Sequence, residues 1–117
     1  TMSALDFYTL QTLRESWVKA VKAQYTNACI LMTTVPMEAP LQAPLEADDA
    51  LFNQENLRAM SLTVIANFLA WDSITIPMGL GDENMPLGLM LSSVDGDAGK
   101  LFSASNFIDR LLTGNQR

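Results

Sequence analysis

Ser73-Ile74-Thr75-Ile76-Pro77-Met78-Gly79-Leu80-Gly81-Asp82-Glu83-Asn84-Met85-Pro86-Leu87-Gly88-Leu89-Met90-Leu91 is the stretch on which the fold turns. Ser73 to Ile76 alternates polar and apolar residues, the period-two pattern of a half-buried strand. Pro77, Gly79, Gly81 and Asp82 break that run and open a wide turn. Leu87 to Leu91 is the returning strand, so the segment reads as a β-hairpin with an extended tip. Gly79-x-Gly81 does not open a helix and therefore belongs to the tip, not to a phosphate cradle.

Upstream, Asn53 is placed to cap a helix whose apolar face comprises Leu57, Met60, Val64, Ile65 and Phe68. Before it, Cys29-Ile30-Leu31-Met32-Thr33-Thr34-Val35 is apolar without alternation, which predicts a strand buried on both faces and stopped by Pro36. Residues 36–50 carry three prolines and four acids, a composition that predicts a Pro-rich surface loop. At the N-terminus, Ser3 and Asp6 stand three apart like a capping box. Leu10, Leu13, Trp17, Ala20 and Val21 then share a helical face, and the helix ends at Tyr25 to Asn27. Downstream, Asp95 or Asp97 caps a last helix that turns Leu101, Phe102, Ser105, Ile108 and Leu111 or Leu112 inward, with Gly114 just after it. The expected architecture is one small domain over 1–117, of α/β to α+β class and order α-β-α-β-β-α. A short mixed sheet is packed by helices. Its central β-α-β unit predicts a right-handed crossover joining parallel strands, with the hairpin adding an antiparallel partner.

Composition narrows the function. The 117 residues are 49% hydrophobic and only 17% charged, enough apolar material for a core of its own. Seven basic against thirteen acidic residues give a net charge of −6. That balance argues against a phosphate-backbone binder and against docking on an anionic membrane surface. No histidine is present, which removes Ser-His-Asp and Cys-His catalysis and His-ligated metal sites. No apolar run approaches a membrane span, and no signal peptide is visible. Cys29 is alone, so it forms no internal disulfide and reads as a small buried hydrophobe in a reducing, cytoplasmic setting.

The remaining chemical candidates are weak. Asp48-Asp49, Asp82-Glu83 and Asp95-Gly96-Asp97 fall in turns and caps, where carboxylates are solvated. The last trio begins like a calcium loop but lacks the later ligands, with Lys100 and Phe102 in their place. Ser92 and Ser93 with Lys100 could in principle form a histidine-free nucleophile pair. Nothing in their spacing brings the groups together. Met32, Met60, Met78 and Met90 are expected to fill the core.

At the second helix and hairpin the sequence resembles the C-terminal region of the amidase signature family. The matching residues are Asn67-Phe68-Leu69-Ala70-Trp71-Asp72-Ser73-Ile74-Thr75-Ile76-Pro77-Met78-Gly79, then Met85-Pro86-Leu87-Gly88-Leu89-Met90-Leu91. Gly96 to Leu101 is similar to the family's step into its closing helix. Ile30 to Pro36, with Ala39-Pro40, is similar to the strand and Pro-rich loop that precede this region. Arg14 sits where the family often has an arginine. The chain departs at Ala70-Trp71-Asp72, where a small-apolar-proline step is usual, at Met90, where glutamine is common, and at Thr33.

The family resembled comprises serine hydrolases that cleave carboxamides through an acyl-enzyme, using a Ser–cis-Ser–Lys triad. That triad lies in a Gly/Ser-rich segment with no counterpart here, so the resemblance carries no catalytic residue onto this chain, and no metal or cofactor. It implies strands of a larger sheet and part of a pocket wall, without hydrolase activity in isolation. Asn67, Trp71, Asp72, Met78 and the Pro36–Pro44 loop are the candidate pocket or contact residues. The implied partners are a second copy of the chain or a missing catalytic half, with a small amide as ligand.

Overall fold

The hairpin forms where its alternation predicts it, and everything else is arranged around its second strand. The computed structural model describes residues 2–114. In chain order its elements are α1 (Ala4–Gln24), β1 (Cys29–Thr33), α2 (Gln42–Ala47), α3 (Asp49–Met60), α4 (Thr63–Leu69), β2 (Asp72–Leu80), β3 (Pro86–Ser93) and α5 (Ala98–Gly114). The α/β class and the order of the elements are as the sequence predicts, with the second helix divided into α3 and α4 and a further short helix, α2, in the segment before it.

Strand pairing differs from expectation. The sheet is ordered β1-β3-β2 and both pairings are antiparallel, Leu31 facing Leu91 and Ile74 facing Leu91 across the two ladders. β1 and β2 therefore run in the same direction, as a crossover would make them, but β3 lies between them and no parallel ladder forms. Nor is β1 the strand buried on both faces. It is an edge with Leu31 half exposed, and β3 occupies the centre, with Met90, Leu91, Ser92 and Ser93 all buried. An apolar run without alternation suits either position, and only the pairing decides between them.

Pro77 is tolerated because β2 is the other edge, where a missing backbone donor costs no ladder bond. The register slips between Pro77 and Gly79, and Gly79 takes φ +118°, the left-handed region that glycine enters freely. At the tip, Gly81 N–H donates to the Met85 carbonyl at 2.9 Å and Asn84 N–H to the Gly81 carbonyl at 3.1 Å. Asn84 closes the turn at φ 60°, a conformation that asparagine tolerates well.

Several helix expectations are corrected. The Pro-rich loop contains the short helix α2, with Pro44 in its first turn where no intrahelical N–H is needed. Asp48, not Asn53, caps α3, its Oδ1 accepting from Ala50 N–H at 2.8 Å and Leu51 N–H at 3.2 Å. The expected second helix breaks at Ser61-Leu62. There the Ser61 and Thr63 hydroxyls donate to the Arg58 and Met60 carbonyls, local bonds that compete with helix continuation. Its apolar face stays open, with Leu57, Met60, Val64 and Ile65 all exposed. α1 begins with the predicted box, Ser3 N–H donating to Asp6 Oδ2 and Asp6 N–H to Ser3 Oγ. Yet Leu10, Leu13 and Trp17 on its apolar face are 44%, 49% and 56% exposed. α1 is held instead through α4, where Arg14 Nε donates to the Phe68 carbonyl at 2.7 Å and Trp17 meets the Phe68 ring edge-on. Cys29 is half-buried, and Met90 is the one fully buried methionine of the four expected in the core.

α5 packs on β2 and β3 through Leu101 and Ser105, with Ile108 and Leu112 half-buried one and two turns on. Phe102 and Leu111 point outward, because a stripe at i, i+4, i+7 and i+11 leaves their side of the helix in water. The molecule measures 54 × 44 × 16 Å, and the short axis is the depth of a sheet and one helix layer. Its radius of gyration of 17.5 Å exceeds the ~13 Å of a compact domain of this length. Its 8390 Å² of accessible surface likewise exceeds the ~6,300 Å² expected for the mass.

Two substitutions test this packing. Ala70 ends α4 at φ 56°, a left-handed position that favours glycine. Ala70→Gly is expected to raise stability by about 0.5–1 kcal/mol, read from urea titration. Leu101→Ala should cost about 2–5 kcal/mol in the same assay. Phe102→Ala should stay within about 0.5 kcal/mol, since surface changes rarely do more.

Candidate functional site

A concave region lies at the end of the sheet where β1 leaves and the hairpin turns. A cavity of about 290 Å³ opens there, between Thr33, Val35, Pro36, Met37 and Glu38 on one side and Met78, Leu87 and Gly88 on the other. β1 and β3 bring these residues together, and Thr34 N–H donates to the Gly88 carbonyl at 2.9 Å to continue the ladder beyond the strand. Gly88 is required for that approach. A Cβ there would meet the Thr34 and Thr75 side chains at 2.8 Å. Glu38 is the charged residue of the lining, and its carboxylate accepts from Asp82 N–H at 2.7 Å and Glu83 N–H at 2.9 Å. The rest of the wall is apolar or hydroxyl-bearing, suited to a small ligand with few polar atoms.

At the opposite end of the sheet lies a polar cluster. Ser92 and Ser93 have no exposed surface, and both hydroxyls are bonded. Ser92 Oγ and Ser73 Oγ are 2.8 Å apart across the β2–β3 pair. Ser93 Oγ donates to Asp95 Oδ1 at 2.9 Å and accepts from Asp97 N–H at 3.1 Å. Lys100 Nζ bonds Asp95 Oδ2 at 2.5 Å and reaches Asn27 Oδ1 at 3.4 Å. Asp97 caps α5 by accepting from Lys100 N–H at 2.9 Å. Lys100 thus meets the carboxylate that Ser93 bonds, not the serine itself. The hydrogen bonds from Lys100 and then Ser93 hold the Asp95 carboxyl well below the usual carboxylate range. The Asp95 bond, the largest influence, raises the Lys100 ammonium above its ordinary value. A protonated lysine and a strongly stabilised carboxylate are both poor bases, so the cluster clamps the exit of β3 to α5 and to the α1–β1 turn.

The candidate residues from the sequence do not converge. Met78 lines the cavity, with Pro36 of the Pro36–Pro44 loop opposite. Asn67 is exposed on α4, Trp71 is half-buried just beyond that helix, and Asp72 is exposed at the start of β2. Six residues of extended chain, ~20 Å, separate Asp72 from Met78. Trp71 N–H donates to the Ala66 carbonyl at 2.9 Å and so helps to close the end of α4. Glu38 was not singled out by the sequence, because its partners lie 44 and 45 residues away and are backbone amides without side-chain identity. An acid between Pro36 and Pro40, with Gly81 preceding two acids in a turn, is the available signal. A second concave surface, an apolar groove of about 420 Å³ between α1 and α4, is lined by Trp17, Val64, Ile65, Phe68 and Leu69.

The clamp generates a pH expectation. Asp95 titrates below its ordinary 3.8 in the folded chain, so its contribution is present above that value and is lost as pH falls through the folded pKa. Lys100 titrates above its ordinary 10.5, so its contribution is present below that value and is lost only as pH rises through the folded pKa. The Tm difference between the natural chain and Asp95→Asn should therefore stay constant from about pH 5 to 9 and shrink below about pH 4. Thermal melts across that range check it.

Over 83 residues the chain is 30% identical to the 2-amino-5-chloromuconic acid deaminase of Comamonas testosteroni, a match covering 71% of this chain. The chain spans only 18% of that relative's length. No family model matches, and no solved structure matches significantly. The similarity is consistent with an amidase-like relationship.

Proposed function

We propose that this chain is an amidase-like scaffold segment that supplies sheet and pocket wall to a larger carbon–nitrogen hydrolase and does not hydrolyse amides by itself. The observation that carries the reading is the thin, incompletely buried form of the molecule. A chain that is 49% hydrophobic leaves Leu10, Leu13 and Trp17 of α1 and Leu57, Val64 and Ile65 of α3 and α4 exposed. Isolated exposed apolar residues are ordinary, but three helices with open apolar faces mark a surface meant to be covered. The likeness to a deaminase supports the choice of chemistry. Ser92 and Ser93 support the absence of independent activity, because hydroxyls with no exposure cannot reach a substrate. The ligand class in this reading is a small amide, met at the cavity beside Met78. The lone Cys29 suits a reducing cytoplasm, and no helix among the described residues is long and apolar enough to cross a membrane.

A second reading, a homo-oligomeric binding or assembly module that reuses the scaffold, is favoured by the β1 edge. Cys29–Thr33 carries no charge, proline or bulge, the devices that normally protect an open edge, whereas β2 carries Pro77 and a bulge. Two copies joined about a two-fold axis would pair that edge.

Purified chain assayed on a panel of carboxamides and esters is expected to show no turnover. Turnover abolished by Ser92→Ala or Ser93→Ala would overturn the first reading. Sedimentation at micromolar concentration, with binding of an apolar fluorescent dye, separates the two. A monomer that binds dye supports the segment, and a dimer supports the module. A monomer that binds no dye contradicts both.

A further inference from the structure

We propose that residues 35–40 form a strap that closes over the cavity at the sheet end, and that Glu38 is the latch holding it to the hairpin tip. Among the described residues, the two bonds accepted by Glu38 are the only hydrogen bonds joining 35–40 to the sheet or its hairpin tip. Pro36 and Pro40 have no backbone N–H to offer, so the strap cannot zip onto a strand. One carboxylate does the work of a ladder. Each of its oxygens takes one of two consecutive amides, and hydrogen bonds to a charged acceptor are about twice as strong as neutral ones.

The hairpin tip is shaped to receive it. A Cβ on Gly81 would run into the Glu38 carboxylate, so glycine leaves the seat open. The turn that aims Asp82 N–H and Glu83 N–H at Glu38 is closed by Asn84 in the left-handed region. The strap itself is loosely packed. Beside the 290 Å³ cavity, a space of about 260 Å³ separates Val35, Met37 and Pro40 from Ala59 and Pro86. With open volume on two sides, little besides Glu38 resists its lifting, and sparse packing marks segments that open at low free-energy cost. Two bonds therefore hold a loosely packed strap, which makes the latch the gate to the cavity. It lies wholly within this chain and requires nothing of the hydrolase reading.

Hydrogen exchange of the full chain, followed amide by amide by NMR, tests the gate together with the rate of peroxide oxidation at Met37 and Met78. In Glu38→Gln, exchange at Asp82 and Glu83 is expected to accelerate about tenfold or more, as loss of charged hydrogen bonds implies. Oxidation of Met37 and Met78 should speed up with it, while the Ile76 and Leu91 amides stay protected. Gly81→Ala, which fills the seat and leaves the carboxylate intact, should reproduce both effects. Unchanged exchange at Asp82 and Glu83, or unchanged methionine oxidation, would overturn the latch. So would equal acceleration at Ile76 and Leu91, since Glu38 would then be supporting the whole fold and not a gate.

Discussion

The central strand β3 carries a constraint that the other elements answer to. Its second half, Met90 to Ser93, is buried on both faces and ends in two serines with no exposed surface, where an unsatisfied hydroxyl would cost about 1–3 kcal/mol. Ser92 is satisfied by Ser73 across the ladder, which pins the register of the hairpin. Ser93 is satisfied by Asp95 and by the Asp97 amide, which shapes the turn into α5 and sets where that helix starts. Lys100 then reaches from the first turn of α5 to Asp95 and to Asn27, so the α1–β1 turn is tied to the same point. Three connections are thus fixed by the need to pair two hydroxyls in one strand.

Away from β3 the molecule becomes progressively less finished. α5 covers β2 and β3 but leaves Leu31 on β1 open, and α1 touches the body chiefly through Arg14 and Trp17 at Phe68. The Arg14 bond satisfies a carbonyl at the end of α4, a helix terminus where a cation is also favoured by the dipole. One well-placed bond orients α1 without burying its apolar face. The gradient runs from the buried Met90–Ser93 half of β3 to a helix whose Trp17 stands in water.

Legibility followed the range of the interactions. The Ser3–Asp6 box and the alternation of Ser73 to Ile76 depend on residues within a few positions and are readable from spacing alone, whereas spacing leaves Asp95 and Asp97 equally placed to cap α5. The break at Ser61-Leu62 was local too, but its hydroxyl-to-carbonyl bonds compete with a helix that the apolar periodicity favours, and periodicity gave no sign of which would win. The position of β1 at an edge was hidden, because an unalternating apolar run fits a central strand as well as an uncovered one. Glu38 was hidden for a different reason. Its partners are backbone amides more than forty residues away, and an amide has no letter in the sequence.

The sequence by itself determined the class of the protein, the order of its helices and strands, the hairpin and the start of α1, because these arise from local sterics, periodicity and capping. It also determined the chemistry ruled out by the absence of histidine. Only the tertiary structure decided that β3 inserts between β1 and β2, that the apolar faces of α1, α3 and α4 remain open, and that Met78 faces a cavity far from Asn67, Trp71 and Asp72. Those are matters of which surfaces meet. Hydrophobic burial is proportional to area and indifferent to direction, so an apolar face announces that it should be covered without naming what covers it.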